Sequence, residues 1–155
     1  MTNIETMTET IIVKKFGGTS VGCTDRIKAV AQRILDTKAT HKNIVVVVSA
    51  MGDTTDTLVQ LTQSVSQSPD SREYDALLST GETVSASLLA MTLIEMGHSA
   101  ISLTGPQAGV ITEQRHSKAK ILDVKTARIK SELKQGKIVV ITGFQGINQA
   151  NDVTT

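Results

Sequence analysis

The chain has 155 residues, 39% of them hydrophobic and 20% charged, with 16 basic side chains against 15 acidic ones. This is the make-up of one globular domain with enough chain for a core, and it excludes a mainly disordered polypeptide. A net charge of +1 and only three aromatics (Phe16, Tyr74 and Phe144) exclude an electrostatic nucleic-acid binder, an anionic-membrane binder and a base-stacking platform.

Residues 1–10, MTNIETMTET, hold two glutamates and no basic residue, and lack the features of a secretory signal or a transit peptide. They read as a flexible tail. Ile11–Phe16 is a short apolar run stopped by Gly17-Gly18, which predicts a buried strand. A helix follows over Thr24–Lys38, with Ile27, Val30, Ala31, Ile34 and Leu35 on one stripe. Ile44–Ser49 carries four consecutive valines with no alternation, the pattern of a strand buried on both faces of a parallel sheet. Further helices are expected over Thr55–Gln67, Glu73–Leu78, Thr80–Met96 (apolar nearly all round, hence central) and Thr126–Gln135. Further strands are expected at Ala100–Thr104 and Ile138–Thr142, with short ones at Val110–Thr112 and Lys120–Leu122. Strands alternate with helices throughout, so the fold class is α/β with a mainly parallel sheet. The longest apolar run, Ile44–Val48, is too short to span a bilayer.

In open α/β sheets, ligands sit beyond the carboxyl ends of the strands. Three loops there carry polar chemistry. The first is Lys15-Phe16-Gly17-Gly18-Thr19-Ser20-Val21-Gly22. Its glycines permit close backbone approach to a phosphate, the next helix offers free amides, and Lys15, Thr19 and Ser20 add donors. Cys23-Thr24 stands where a Walker loop requires Lys-Ser/Thr, and there is no dinucleotide fingerprint. The loop reads equally as a plain strand-to-helix turn with a surface lysine.

The second loop is Ser49-Ala50-Met51-Gly52-Asp53-Thr54-Thr55, suited either to an anionic substrate or to capping the next helix. The third is Ser79-Thr80-Gly81-Glu82. Here Ser79 and Glu82 have capping-box spacing, and Glu82 is alternatively a carboxylate that receives a substrate ammonium. Met51, Met91 and Met96 read as packing residues and Cys23 as an inert small residue. A lone cysteine excludes an internal disulfide and a cysteine-built zinc site, and fits a reducing compartment. His41, His98 and His116 lack ligand spacing, so no protein-held metal is expected.

Taken together, Lys15-Phe16-Gly17-Gly18-Thr19-Ser20-Val21, Val48-Ser49-Ala50-Met51-Gly52 with Thr55-Asp56, Ser79-Thr80-Gly81-Glu82, Leu103-Thr104-Gly105-Pro106-Gln107-Ala108-Gly109 and Thr142-Gly143-Phe144-Gln145-Gly146 resemble the aspartate kinases of the amino acid kinase family. The resemblance spans about residues 11–155. It implies a three-layer αβα sandwich and transfer of the γ-phosphoryl of ATP, with Mg2+, to the side-chain carboxylate of L-aspartate. The product is 4-phospho-L-aspartate, the first step towards lysine, threonine and methionine. Lys15 would then be catalytic and bind ATP phosphates with Gly17, Gly18, Thr19 and Ser20. Ser49, Thr55 and Glu82 would bind substrate, with Glu82 on the ammonium, and Gly143 and Phe144 would border the site. The resemblance further implies a cytoplasmic enzyme, homo-oligomeric when intact, with no nucleic-acid or membrane partner.

In that family a Thr-Thr such as Thr154-Thr155 leads into a glycine-rich segment whose arginine holds substrate and whose aspartate supports catalysis. Residues 11–155 therefore correspond to the N-terminal, amino-acid-binding part of the kinase domain, expected to be inactive alone. Two alternatives accompany this reading: a sister kinase acting on another acidic substrate, and a non-catalytic binding or assembly module.

Overall fold

The computed structural model describes residues 8–155. Strand β1 (Thr8–Phe16) pairs in parallel with β2 (His41–Val48), β2 with β6 (Ile138–Thr142), and β6 with β3 (Ala100–Leu103), giving a four-stranded parallel sheet in the order β1-β2-β6-β3. The expected tail over residues 1–7 lies outside the described residues, whereas residues 8–10 are strand. Their pairing begins at Thr8 opposite His41 and uses the backbone, which an apolar-run criterion does not read.

Alternation along β2 explains the layers. Ile44, Val46 and Val48 meet Ile27, Val30 and Ile34 of α1 (Thr24–Lys38) and Leu89 and Leu93 of α4 (Thr80–Glu95). On the other face, Val45, Val139 and Ile141 pack on Ile129 and Leu133 of α5 (Ala127–Lys134). Helices cover both faces of a parallel sheet, as the αβα expectation requires. Each fully buried Val, Ile or Leu contributes about 1.5–3 kcal/mol, so this sandwich dominates stability. The second face is only partly covered: Ile11 and Val13 of β1 are exposed.

Helices α2 (Thr54–Val65) and α3 (Ser71–Leu78) precede α4. Ser79 between α3 and α4 keeps right-handed helical dihedrals, so the two form a nearly continuous rod. The run Ser71–Glu95 has the length and hydropathy of a membrane span, yet half of its apolar window is buried in the protein. Within it, α4 is central, but the all-round apolar pattern does not mean all-round burial: Leu89 and Leu93 are in the core, whereas Val84, Met91 and Ile94 are exposed.

A second, mixed sheet was only half expected. It runs β5 (Ile121–Val124), β4 (Val110–Thr112), β7 (Gly146–Ile147), β8 (Val153–Thr154). Strands β7 and β8 have two residues each and leave no periodic trace in the sequence.

Candidate active site at the carboxyl ends of the parallel strands

The register sets Phe16 beside Val48 and Val48 beside Thr142, so three strands end flush and their loops share one rim of the sheet. Backbone bonds stitch those loops together. The Ser49 amide donates to the Phe16 carbonyl (3.1 Å), Gly52 to Gly18 (3.2 Å), and Gly143 to Val48 (2.8 Å). The approach is close enough that a Cβ on Gly18 would lie 2.9 Å from the Ala50 carbonyl oxygen. Only glycine permits this contact. Phe144 follows with φ of 64°, a left-handed conformation uncommon for an aromatic residue, and its side chain is exposed.

Glu82 lies in the first turn of α4 and is only 4% exposed. Its Oε1 accepts from the Ala50 amide at 3.2 Å, whereas its buried Oε2 has no partner among the described residues. Burial pushes its carboxyl pKa up, and the amides of Glu82 and Ala50 oppose that only in part. A buried carboxylate oxygen without a donor is costly, and a cationic donor reaching it would relieve the cost. The capping-box alternative fails on geometry. Ser79 Oγ donates to the Ala76 carbonyl (2.8 Å) and makes no cap, because the rod runs through Ser79.

Ser49 is half-buried after β2, and its carbonyl accepts from Ser85 Oγ at 2.6 Å. Thr55, half-buried, sits in the first turn of α2, which packs on α4: a Cβ on Gly81 would meet Thr54 Cγ2 at 3.6 Å. Neither Thr54 nor Thr55 caps α2, whose N-cap position is Asp53.

Lys14 and Lys15 diverge, as strand alternation dictates. Lys14 Nζ donates to the Arg33 carbonyl and to Thr37 Oγ1 on α1, while Lys15 is exposed and its ammonium has no partner among the described residues. Thr19 and Ser20 line a cleft of about 310 Å³ with Arg26 and Arg33 of α1, and Arg26 Nη1 donates to the Thr19 carbonyl. The structure thus joins Gly18, Ser49, Glu82 and Gly143 through bonded loops. It sets Thr19 and Ser20 against α1, on the side of β1 away from Lys15. Gly17 closes the turn between them by accepting from the Ser20 amide (2.9 Å).

Cys23 is exposed and makes no side-chain cap for α1. Among the described residues no three His, Cys, Asp or Glu side chains converge.

Two polar residues were given no role from the sequence. Gln145 is buried and its Nε2 donates to the Ser79 carbonyl (2.8 Å), tying the loop after β6 to the start of α4. Ser85 lies one turn beyond Glu82, and that spacing was a usable signal. A larger cavity of about 660 Å³ opens between the two sheets, lined among others by Val13, Val47, Val110, Ile121 and Phe144.

The model of the Amino acid kinase family matches residues 10–154. The chain belongs to that family. Among curated relatives, the aspartokinase of Geobacillus stearothermophilus is 52% identical over 145 residues, covering 94% of this chain and 36% of the relative. That of Mycolicibacterium smegmatis is 50% identical over 146 residues, covering 94% and 35%. The chain therefore spans about a third of the length of the curated relatives it matches. Among solved structures, aspartate kinase from Synechocystis superposes with a TM-score of 0.77 at 48% identity, covering 94% of this chain and 23% of that one. E. coli aspartokinase III in complex with aspartate and ADP gives 0.83 at 22% identity, covering 94% and 43%, and shares the fold.

Proposed function

We propose that this chain is the amino-acid-binding part of an aspartate kinase, which moves the γ-phosphoryl of ATP to the side-chain carboxylate of L-aspartate. One observation carries the reading: the buried, unpartnered Oε2 of Glu82 at the rim shared by three strand ends. An α-ammonium group of an amino acid is the complement of that oxygen. Identity near 50% to proteins named aspartokinase supports aspartate as the amino acid.

In this reading Glu82 holds the ammonium, while Ser49 and Thr55 orient the carboxylates by hydroxyl donation. Lys15, whose ammonium has no partner among the described residues, meets the ATP phosphates. The backbone of Gly17 and Gly18 lets them approach, and Thr19 and Ser20 complete the turn. Gly143 and Phe144 bound the pocket.

Phosphoryl transfer between two anions needs alignment and charge neutralisation rather than a covalent enzyme intermediate. Magnesium accompanies ATP on the phosphate oxygens and offsets their charge. The product, an acyl phosphate, commits aspartate to lysine, threonine and methionine synthesis, which fits a cytoplasmic enzyme. A homo-oligomeric intact form is part of the same proposal.

The test is a calorimetric titration of the chain with L-aspartate, L-glutamate and succinate. Succinate lacks the ammonium. Saturable binding of L-aspartate with loss of binding for succinate supports the reading, and equal binding of the two refutes it.

A further inference from the structure

Asp75 in α3 is completely buried, and its carboxylate is surrounded by donors from two distant segments. Its Oδ2 accepts from His116 Nδ1 (3.0 Å), the Ser117 amide (2.9 Å) and the Thr155 amide (3.1 Å). Its Oδ1 accepts from Thr155 Oγ1 (2.5 Å), the Ser117 amide (3.1 Å) and Ser117 Oγ (3.4 Å). Ser117 adopts φ of 62° in this arrangement.

The Ser117 and Thr155 amides can only donate, and the Ser117 amide reaches both carboxylate oxygens, so the site calls for an acceptor-only group. An amide there would turn its NH2 against another N–H. The chain is fastened on the other side too, since Thr154 Oγ1 meets Thr112 Oγ1 at 2.7 Å in the second sheet.

The clamp has a consequence at the rim. Asp75 and Glu82 lie seven residues apart, two turns along the nearly continuous α3–α4 rod, and so share one side of it. The Ser79 amide bonds the Asp75 carbonyl (3.0 Å), and Gln145 grips the Ser79 carbonyl between them. We infer that Asp75 is a positioning residue: by clamping the rod to the His116–Ser117 turn and Thr155, it sets where Glu82 stands against the Ala50 loop. The consequence for substrate affinity rests on the reading that Glu82 receives the substrate ammonium.

The experiment compares the 155-residue chain with its Asp75→Asn variant. Two quantities are measured: amide hydrogen exchange by NMR and L-aspartate affinity by calorimetry. Glu132→Gln is the control, since it removes the ion pairs to Arg128 and Lys137 at α5, on the opposite face of the sheet from α4 and away from Asp75. After scaling to the control's loss of melting temperature, Asp75→Asn is expected to speed exchange at Ser117 and Thr155. It is also expected to speed exchange at Ala50, whose amide reports the Glu82 contact, and to weaken aspartate about tenfold. Glu132→Gln should change neither Ala50 exchange nor affinity.

If Ala50 exchange is no faster in Asp75→Asn than in the control, the inference is overturned, and Asp75 only holds the fold. Should the wild-type chain show no saturable aspartate binding, the Glu82 reading fails by itself, and Ala50 exchange alone decides for or against the clamp. Should Asp75→Asn not fold, Ser117→Ala and Thr155→Val, which keep the carboxylate, are read in the same way. Faster Ala50 exchange in them supports the inference and unchanged exchange overturns it.

Discussion

Glu82→Gln separates binding from folding. Glutamine keeps the length of the side chain and an oxygen able to accept from the Ala50 amide at 3.2 Å, but removes the charge. Truncating one partner of a buried charge pair costs about 2–5 kcal/mol. With one acceptor retained, the lower end applies, about 2–3 kcal/mol, or roughly 30- to 150-fold in the Kd for L-aspartate. Stability should move the other way. Burial raises the Glu82 pKa above its ordinary 4.5, so the folded state holds this proton more tightly than the unfolded state. Glu82 then weakens the fold progressively as pH rises from 4.5 through the folded value. The glutamine variant should melt at or above the wild-type temperature at neutral pH, with the advantage vanishing in acid. Aspartate binding favours the ionised carboxylate, so calorimetry in buffers of different ionisation enthalpy should show proton release on the acidic side. Unchanged aspartate affinity with a lowered melting temperature would refute this reasoning and make Glu82 a structural residue.

Lys15→Ala should leave the melting temperature unchanged and abolish binding of ATP or tripolyphosphate to the chain, whereas Lys14→Ala should lower stability slightly and spare that binding; the reverse pattern in a thermal shift and titration pair contradicts the assignment. Gly105→Ala would set a Cβ 1.9 Å from the Gln145 carbonyl oxygen, so denaturant titration should show a loss of at least about 3 kcal/mol or no folded protein. Glu132 is gripped by Lys137 and Arg128, both at 2.6 Å, and these hold its carboxyl below the usual range. Its stabilisation is therefore present above pH 4.5 and lost as pH falls through the lowered value. Glu132→Gln should be less stable than wild type at neutral pH and converge with it in acid melts.

What the sequence disclosed follows the range of the forces involved. The valines of β2 announced burial on both faces, and the stripe Ile27–Ile34 announced α1, because periodicity records local burial. Lys14 and Lys15 were separable by alternation alone. The Ser79–Glu82 spacing suggested a cap, and spacing could not show that α3 continues through Ser79. Strands β7 and β8 are too short for any period. The Asp75 clamp was invisible for a different reason: its partners lie 41, 42 and 80 residues away, and such contacts leave no local pattern. The unpartnered Oε2 of Glu82 likewise emerges only when the Ala50 loop is folded over it.

The position of bound L-aspartate decides whether Glu82 receives its ammonium. A crystal structure of the chain soaked with L-aspartate tests it most directly. The prediction is an ammonium nitrogen within about 3 Å of Glu82 Oε2, the span of a charge-assisted hydrogen bond, with the carboxylates toward Ser49 and Thr55. Aspartate bound elsewhere, with Glu82 Oε2 still uncontacted, would contradict it.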